Sequence, residues 1–232
     1  MREKREMKTK SKLIIMEGLD GSGKSTQTQL LEDYFNSQNI DYKKIKLPDY
    51  DSPSSTLVNM YLGGEFGSNA NDVNAYAASA FYAVDRFASY KLKWKDDYEK
   101  GTVILADRYA TSNSIYQMEK ISEEKWDEYL QWTEDFEYDK IGIPRPDAVI
   151  YLDMPVEISQ KLMTSRYNGD EGKKDVHEMN VEFLKACRKS ALYAAEKQGW
   201  HIVNCSDGEK PYSIEQIHKA VVEIVDKELS NA

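Results

Sequence analysis

Short apolar runs alternate along the chain with longer stretches in which apolar residues recur every three or four positions. The short runs, Lys12–Glu17, Tyr42–Lys46, Thr102–Asp107, Ala148–Asp153 and His201–Cys205, read as strands. The longer stretches read as helices. Lys24–Gln38 carries Leu30, Leu31, Tyr34 and Phe35 on one face. A long helix is predicted from Asp72 to about Tyr98, with Tyr76, Ala80, Ala83, Val84 and Phe87 stepping along it. Another spans Ser122–Glu137, with Trp126, Tyr129, Leu130 and Phe136 as packing residues. Pro155 fits the first turn of a helix that runs to about Ser165. Capping-box spacing then marks two further starts, Asp175 with Glu178 and Ser213 with Gln216. The last helix has Ile214, Ile217, Val221, Ile224 and Val225 on one stripe. Strand alternating with helix predicts an α/β fold, a five-stranded parallel sheet flanked by helices.

The loop after the first strand carries the clearest chemistry. Residues 18–25, Gly-Leu-Asp-Gly-Ser-Gly-Lys-Ser, form G-x-x-x-x-G-K-S between a strand and a helix, the pattern of a phosphate-cradling P-loop. Gly18, Gly21 and Gly23 let the backbone turn tightly, so that the N–H groups from Asp20 through Ser22 to Thr26 converge on an anion. Lys24 supplies a cation for the β/γ oxygens, and Ser25 a hydroxyl for Mg²⁺. The pattern predicts a bound nucleoside triphosphate.

Other candidates follow from position. Strand three ends in Asp107-Arg108-Tyr109, and ligands of open α/β sheets collect at such ends. Asp107 is therefore a second metal candidate and Arg108 a phosphate ligand. Tyr82 and Arg86, four apart on one helix face, offer a ring and a planar fork of donors for a base. Residues 166–174 are polar, with Gly169 and Gly172 between the cations Arg166, Lys173 and Lys174. Such a segment suits a lid that closes over phosphates, and on the residues alone equally a plain solvated loop.

Composition narrows the partners. The 232 residues suit one domain, read as 12–232 with a lid at about 166–176 and a disordered, solvated extension over 1–11. A net charge of −9 argues against nucleic acid as a partner. No run approaches the roughly 18 apolar residues of a membrane span, and the charged start lacks the apolar stretch of a signal peptide. Cys187 and Cys205 have no zinc-ligand spacing and fit a reducing, cytoplasmic setting.

The motifs in order resemble one family. Met16-Glu17-Gly18-Leu19-Asp20-Gly21-Ser22-Gly23-Lys24-Ser25-Thr26, Phe81-Tyr82-Ala83-Val84-Asp85-Arg86, Asp107-Arg108-Tyr109 and Arg145-Pro146-Asp147 are similar to thymidylate kinases, over about residues 12–229. The resemblance implies a three-layer P-loop nucleoside-monophosphate-kinase fold, with ATP and Mg²⁺ used to phosphorylate dTMP. It places Asp20 near the sugar 3′-hydroxyl and acceptor phosphate, Tyr82 against thymine and Arg86 on a thymine carbonyl. It places Arg108 on the monophosphate, Ser112 and Asn113 at the base edge, and Tyr116 beside the ribose 2′ position. Residues 206–212 would line adenine, and the family's dimers imply a homodimer.

Two departures stand out. Some members carry an arginine in the P-loop where this chain has Gly21, which moves the expected catalytic cation to the lid, to Arg166, Lys173 or Lys174. After strand two the family usually has a phosphate-binding arginine. Here Leu47-Pro48-Asp49-Tyr50-Asp51 has none, so one acceptor-phosphate contact is missing, or Tyr50 and a nearby backbone N–H replace it. A kinase for another nucleotide or nucleoside, or a P-loop switch, stays open on the residues alone.

Overall fold

The computed structural model describes residues 11–67, 69–166 and 181–230, without the side chains of Ala70 and residues 164–166. Strands β1 (Leu13–Gly18), β2 (Tyr42–Lys46), β3 (Val103–Asp107), β4 (Ala148–Asp153) and β5 (His201–Asn204) form one sheet. All pairings are parallel, and the order is β2-β3-β1-β4-β5. Each expected strand is present, with its ends moved by one residue at most. Around the sheet lie helices α1 (Lys24–Ser37), α2 (Thr56–Leu62), α3 (Ala75–Ser89), α4 (Lys95–Lys100), α5 (Thr111–Tyr116), α6 (Trp126–Glu134), α7 (Val156–Arg166), α8 (Val181–Gln198) and α9 (Ile214–Ser230).

The two faces of the sheet follow from side-chain alternation. Leu13 and Ile15 of β1 join Ile104, Ala106, Val149 and Tyr151 on one face, under Ala75, Ile115, Tyr129 and Leu184 of α3, α5, α6 and α8. Ile14 and Met16 join Leu105, Ile150 and Leu152 on the other, under Leu31 and Phe35 of α1 and Val221 and Val225 of α9. Burial on both faces explains why central strands read as unbroken apolar runs. Edge strand β2 buries only Ile45, and its Lys43 and Lys44 pair with Asp97 and Glu32. Charge on an exposed edge discourages further strand pairing.

The long helix differs from expectation. It begins at Ala75, because the Asn74 carboxamide accepts from the Ala77 N–H at 2.9 Å and caps it. Asp72 instead closes a 3₁₀ turn, Ala70–Asp72. A π-turn, Tyr90–Trp94, carries the helix into α4 and buries Tyr90 and Trp94 while Leu92 faces out. Val84 and Phe87, expected on the packed face, are 50% and 39% exposed, whereas Ser79, Asp85, Arg86 and Ser89 are buried. The inward face of α3 thus serves polar contacts as well as the sheet. The helix predicted over Ser122–Glu137 opens with a 3₁₀ turn and ends in a π-helical segment, Asp135–Ile141, which buries Glu137 completely. Helices α2 and α5, of 7 and 6 residues, are too short to register as a period in the sequence.

Candidate active site

The P-loop joins β1 to α1 through backbone that favours glycine. Gly18 and Gly21 have φ of 153° and 75°. A Cβ on Gly18 would lie 2.5 Å from Ser22 Oγ, and one on Gly21 would lie 2.9 Å from Met163 Cγ and 3.1 Å from the Ser159 carbonyl of α7. No side chain caps α1 at Gly23, so the first N–H groups of that helix face the loop. Ser25 and Thr26 are exposed there. Lys24 is buried, and its Nζ donates to the Gly18 and Leu19 carbonyls at 2.7 and 3.2 Å. Burial, with Arg108 adding to it, lowers the Lys24 pKa to about 8 against the pull of Asp20 and Asp107.

Strand β3 delivers Asp107 and Arg108 beside this loop, because Met16 and Asp107 are paired in register. Arg108 has φ of 71°, a left-handed conformation that costs an ordinary residue roughly 1–2 kcal/mol. Glu17 at the end of β1 holds the turn. Its fully buried carboxyl accepts from the Tyr109 N–H at 3.2 Å, from Thr111 Oγ1 at 2.7 Å and from Ser112 Oγ at 2.8 Å. Burial raises the Glu17 pKa, and Arg108, Thr111 and Ser112 oppose that rise. Held so, Arg108 donates to Asp20 at 2.8 Å and lies 4.9 Å over the Tyr116 ring.

These groups border a cavity of about 220 Å³. The structure brings Asp20, Tyr50, Tyr82, Arg86, Arg108, Ser112, Asn113 and Tyr116 together in its walls, all eight expected acceptor-side residues. Arg86 donates through Nη2 and Nε to Glu137 at 2.6 and 3.2 Å, and Asn113 Nδ2 donates to the same carboxylate at 3.2 Å. Asp85, its neighbour on α3, accepts from the Asp49 N–H at 2.9 Å and Ser54 Oγ at 2.6 Å. That clamp fixes the segment after β2. Pro48 and Tyr50 reach the cavity, while Asp49 between them pairs with Lys93.

Several wall residues had no sequence signal. Lys120 donates to the Tyr61 hydroxyl at 2.7 Å and the Val73 carbonyl at 3.2 Å, and Tyr61 stands edge-on to Tyr82 with centroids 6.4 Å apart. Glu17 was visible in the loop motif but carried no role. Glu137 looked like one more charge at a helix end. Arg145-Pro146-Asp147 proves to be scaffold, since Asp147 Oδ2 accepts from the β1 Leu13 N–H at 2.9 Å. The turn over residues 206–212 is exposed and folded on Asp207, whose Oδ1 accepts from the Glu209 and Lys210 N–H groups at 2.9 and 2.7 Å. Lys173, Lys174, the Asp175–Glu178 box and the Arg166 side chain lie outside the described residues. Among the described residues no cluster of three His, Cys, Asp or Glu side chains offers a metal site, and no helix is long and apolar enough to cross a membrane.

A P-loop at the strand ends, bordering a cavity lined by an arginine, defines a P-loop kinase of small phosphorylated acceptors. The thymidylate kinase family model matches residues 16–221. The chain is 31% identical to a probable thymidylate kinase of Thermococcus onnurineus over 219 residues, 93% of this chain and 98% of that one. It is 29% identical to the thymidylate kinase of Mycobacterium tuberculosis over 192 residues, covering 81% of this chain and 87% of the other. The solved thymidylate kinase of Candida albicans shares the fold with a TM-score of 0.70, at 24% identity over 95% of this chain and 94% of that one. The chain belongs to the thymidylate kinase family.

Proposed function

We propose that this chain transfers the terminal phosphoryl group of ATP to dTMP, giving dTDP and ADP. One observation carries the reading. Arg108 and Asp20 meet where the P-loop borders the cavity, so an anion held there faces a triphosphate held by the loop. Transfer of a phosphoryl group needs in-line alignment and neutralised charge more than covalent help from the protein. Lys24 and Arg108 supply cations at the two phosphates, and Asp20 orients Arg108. Arg166, Lys173 or Lys174 is assigned the remaining positive charge on the group in flight.

Mg²⁺ fits the donor set. Ser25 offers an exposed hydroxyl at the start of α1, and Asp107 a carboxylate at the adjacent strand end. Mg²⁺ prefers hard oxygen ligands and keeps several waters, so one hydroxyl and one carboxylate suffice beside phosphate oxygens. When bound, the ion would neutralise charge on the phosphates of ATP.

The enzyme is assigned to the cytoplasm, with no nucleic-acid or membrane partner, and to a homodimer. Val84, Phe87 and Leu92, exposed along the helix that runs from α3 through the π-turn, support the dimer. Sedimentation at micromolar concentration tests it, and a monomer throughout would remove it.

A coupled assay of ADP release across dTMP, dUMP, UMP and dCMP tests the activity. Turnover is expected to depend on the acceptor and to be fastest with dTMP. ATP hydrolysis indifferent to every monophosphate would overturn the reading in favour of a switch.

A further inference from the structure

We propose that Glu137 sets base selectivity by fixing the orientation of the Asn113 carboxamide, an inference that rests on the phosphotransfer reading above. Glu137 is 0% exposed, and Arg86 and Asn113 are each 3% exposed. An ionised carboxylate only accepts hydrogen bonds. Facing Glu137, Arg86 gives two N–H groups and Asn113 must give its NH₂. The Asn113 Oδ1 is thereby turned away from Glu137, and Asn113 itself lines the cavity. Were the amide reversed, two oxygens would oppose each other in a buried site. That arrangement leaves the two oxygens with no donor between them, where water cannot reach them.

The cavity has a polarity along its length. Asp20 belongs to the P-loop and Arg108 donates to it, so the acceptor phosphate is assigned to that end, which leaves Tyr82, Arg86 and Asn113 of the lining for the base end. At that end Arg86 can only donate and Asn113, as fixed by Glu137, presents an acceptor. A pyrimidine with a carbonyl at C4 and a hydrogen on N3 matches both. Cytosine reverses both, with an amino group at C4 and a bare N3. Its entry would leave buried groups of the protein unpaired, which is the strong form of discrimination. The π-helical segment Asp135–Ile141 is what carries Glu137 inward to make these contacts. Glu137 is thus a positioning residue, acting through Asn113.

The test compares kcat/KM for dTMP and dCMP in the wild type, Glu137→Gln, Asn113→Ala and the double variant, with the KM for ATP and the melting temperature as controls. In Glu137→Gln the new amide can still accept from Arg86 but can also donate, so Asn113 is free to turn over. The dTMP to dCMP ratio is expected to fall by about tenfold or more, and Glu137→Gln should change it no further once Asn113 is alanine. The proposal is overturned if Glu137→Gln lowers both substrates by the same factor. A shift in the ratio that persists in the Asn113→Ala background overturns it equally. If Glu137→Gln does not fold, Asn113→Ala alone decides: an unchanged ratio overturns the proposal and a reduced one supports it. Absence of dTMP turnover in the wild type would count against the activity instead. Calorimetric affinities for dTMP and dCMP would then read the same ratio without catalysis.

Discussion

Lys24 shows what burial does to one side chain at the proposed phosphate site. Its ammonium sits among carbonyls and beside Arg108, with a pKa lowered to about 8 from 10.5. Below that pH it is a cation ready for phosphate, and above it the charge is lost from the free enzyme. The kcat/KM for ATP is therefore expected to decline as pH rises past about 8, since this parameter reports the free enzyme. A profile flat to pH 10 would contradict it. Stability carries the opposite sign. The unfolded chain holds the extra proton between the two values, so the burial penalty is full below the folded pKa and is relieved as pH rises toward 10.5. Replacing Lys24 by alanine should cost on the order of 3 kcal/mol of transition-state stabilisation, the scale of one preorganised donor. Glu17 acts one step further back, through the strained Arg108 turn. Glu17→Gln should raise the KM for dTMP by about tenfold, equivalent to about 1.4 kcal/mol, through one weakened charged hydrogen bond. The KM for ATP should stay put. Equal changes in both would make Glu17 a general support of the fold.

At the scale of elements, the P-loop and α7 constrain each other. Gly21 combines a left-handed φ with α7 backbone and Met163 close to where a Cβ would stand. An arginine cannot be supplied at this position simply by substitution. Gly21→Arg is expected to lower the melting temperature and the activity together, and a gain in kcat would refute the steric argument. The start of α9 is an easier case. Ser213 Oγ accepts from the Gln216 N–H and Gln216 Oε1 accepts from the Ser213 N–H, the reciprocal box that the spacing predicts. Ser213→Ala should cost about 1 kcal/mol, read from chemical denaturation. That box was legible because both partners are three residues apart. The start of the long helix was not. Asp72 and Asn74 both have capping chemistry, and only the path of the chain after the 3₁₀ turn selects Asn74. The two π-segments were equally hidden, since they depend on what Trp94 and Glu137 must reach across the fold.

At the scale of the molecule, the two proposed ligand sites lie at the same ends of the central strands β1 and β3, so each ligand would stabilise the same folded state. At a dTMP concentration a hundred times its Kd, the folded state should gain about 2.7 kcal/mol, visible as a rise in melting temperature. A chain that melts unchanged with dTMP but rises with ATP would lack the acceptor site. The sheet itself was written in the sequence. Alternation of apolar runs and helical periods depends on neighbours two to four residues apart, and the parallel, doubly covered sheet follows from it. The P-loop was written there too, because its glycines, Lys24 and Ser25 are contiguous and each is required by local backbone geometry or charge. Tertiary structure alone decided who meets whom at the acceptor end. Glu17 reaches Ser112 across 95 positions and Glu137 reaches Arg86 across 51. A buried carboxylate and a surface one have the same letter in the chain. Only packing removes water from the first, and with it the freedom to leave its hydrogen bonds unmade.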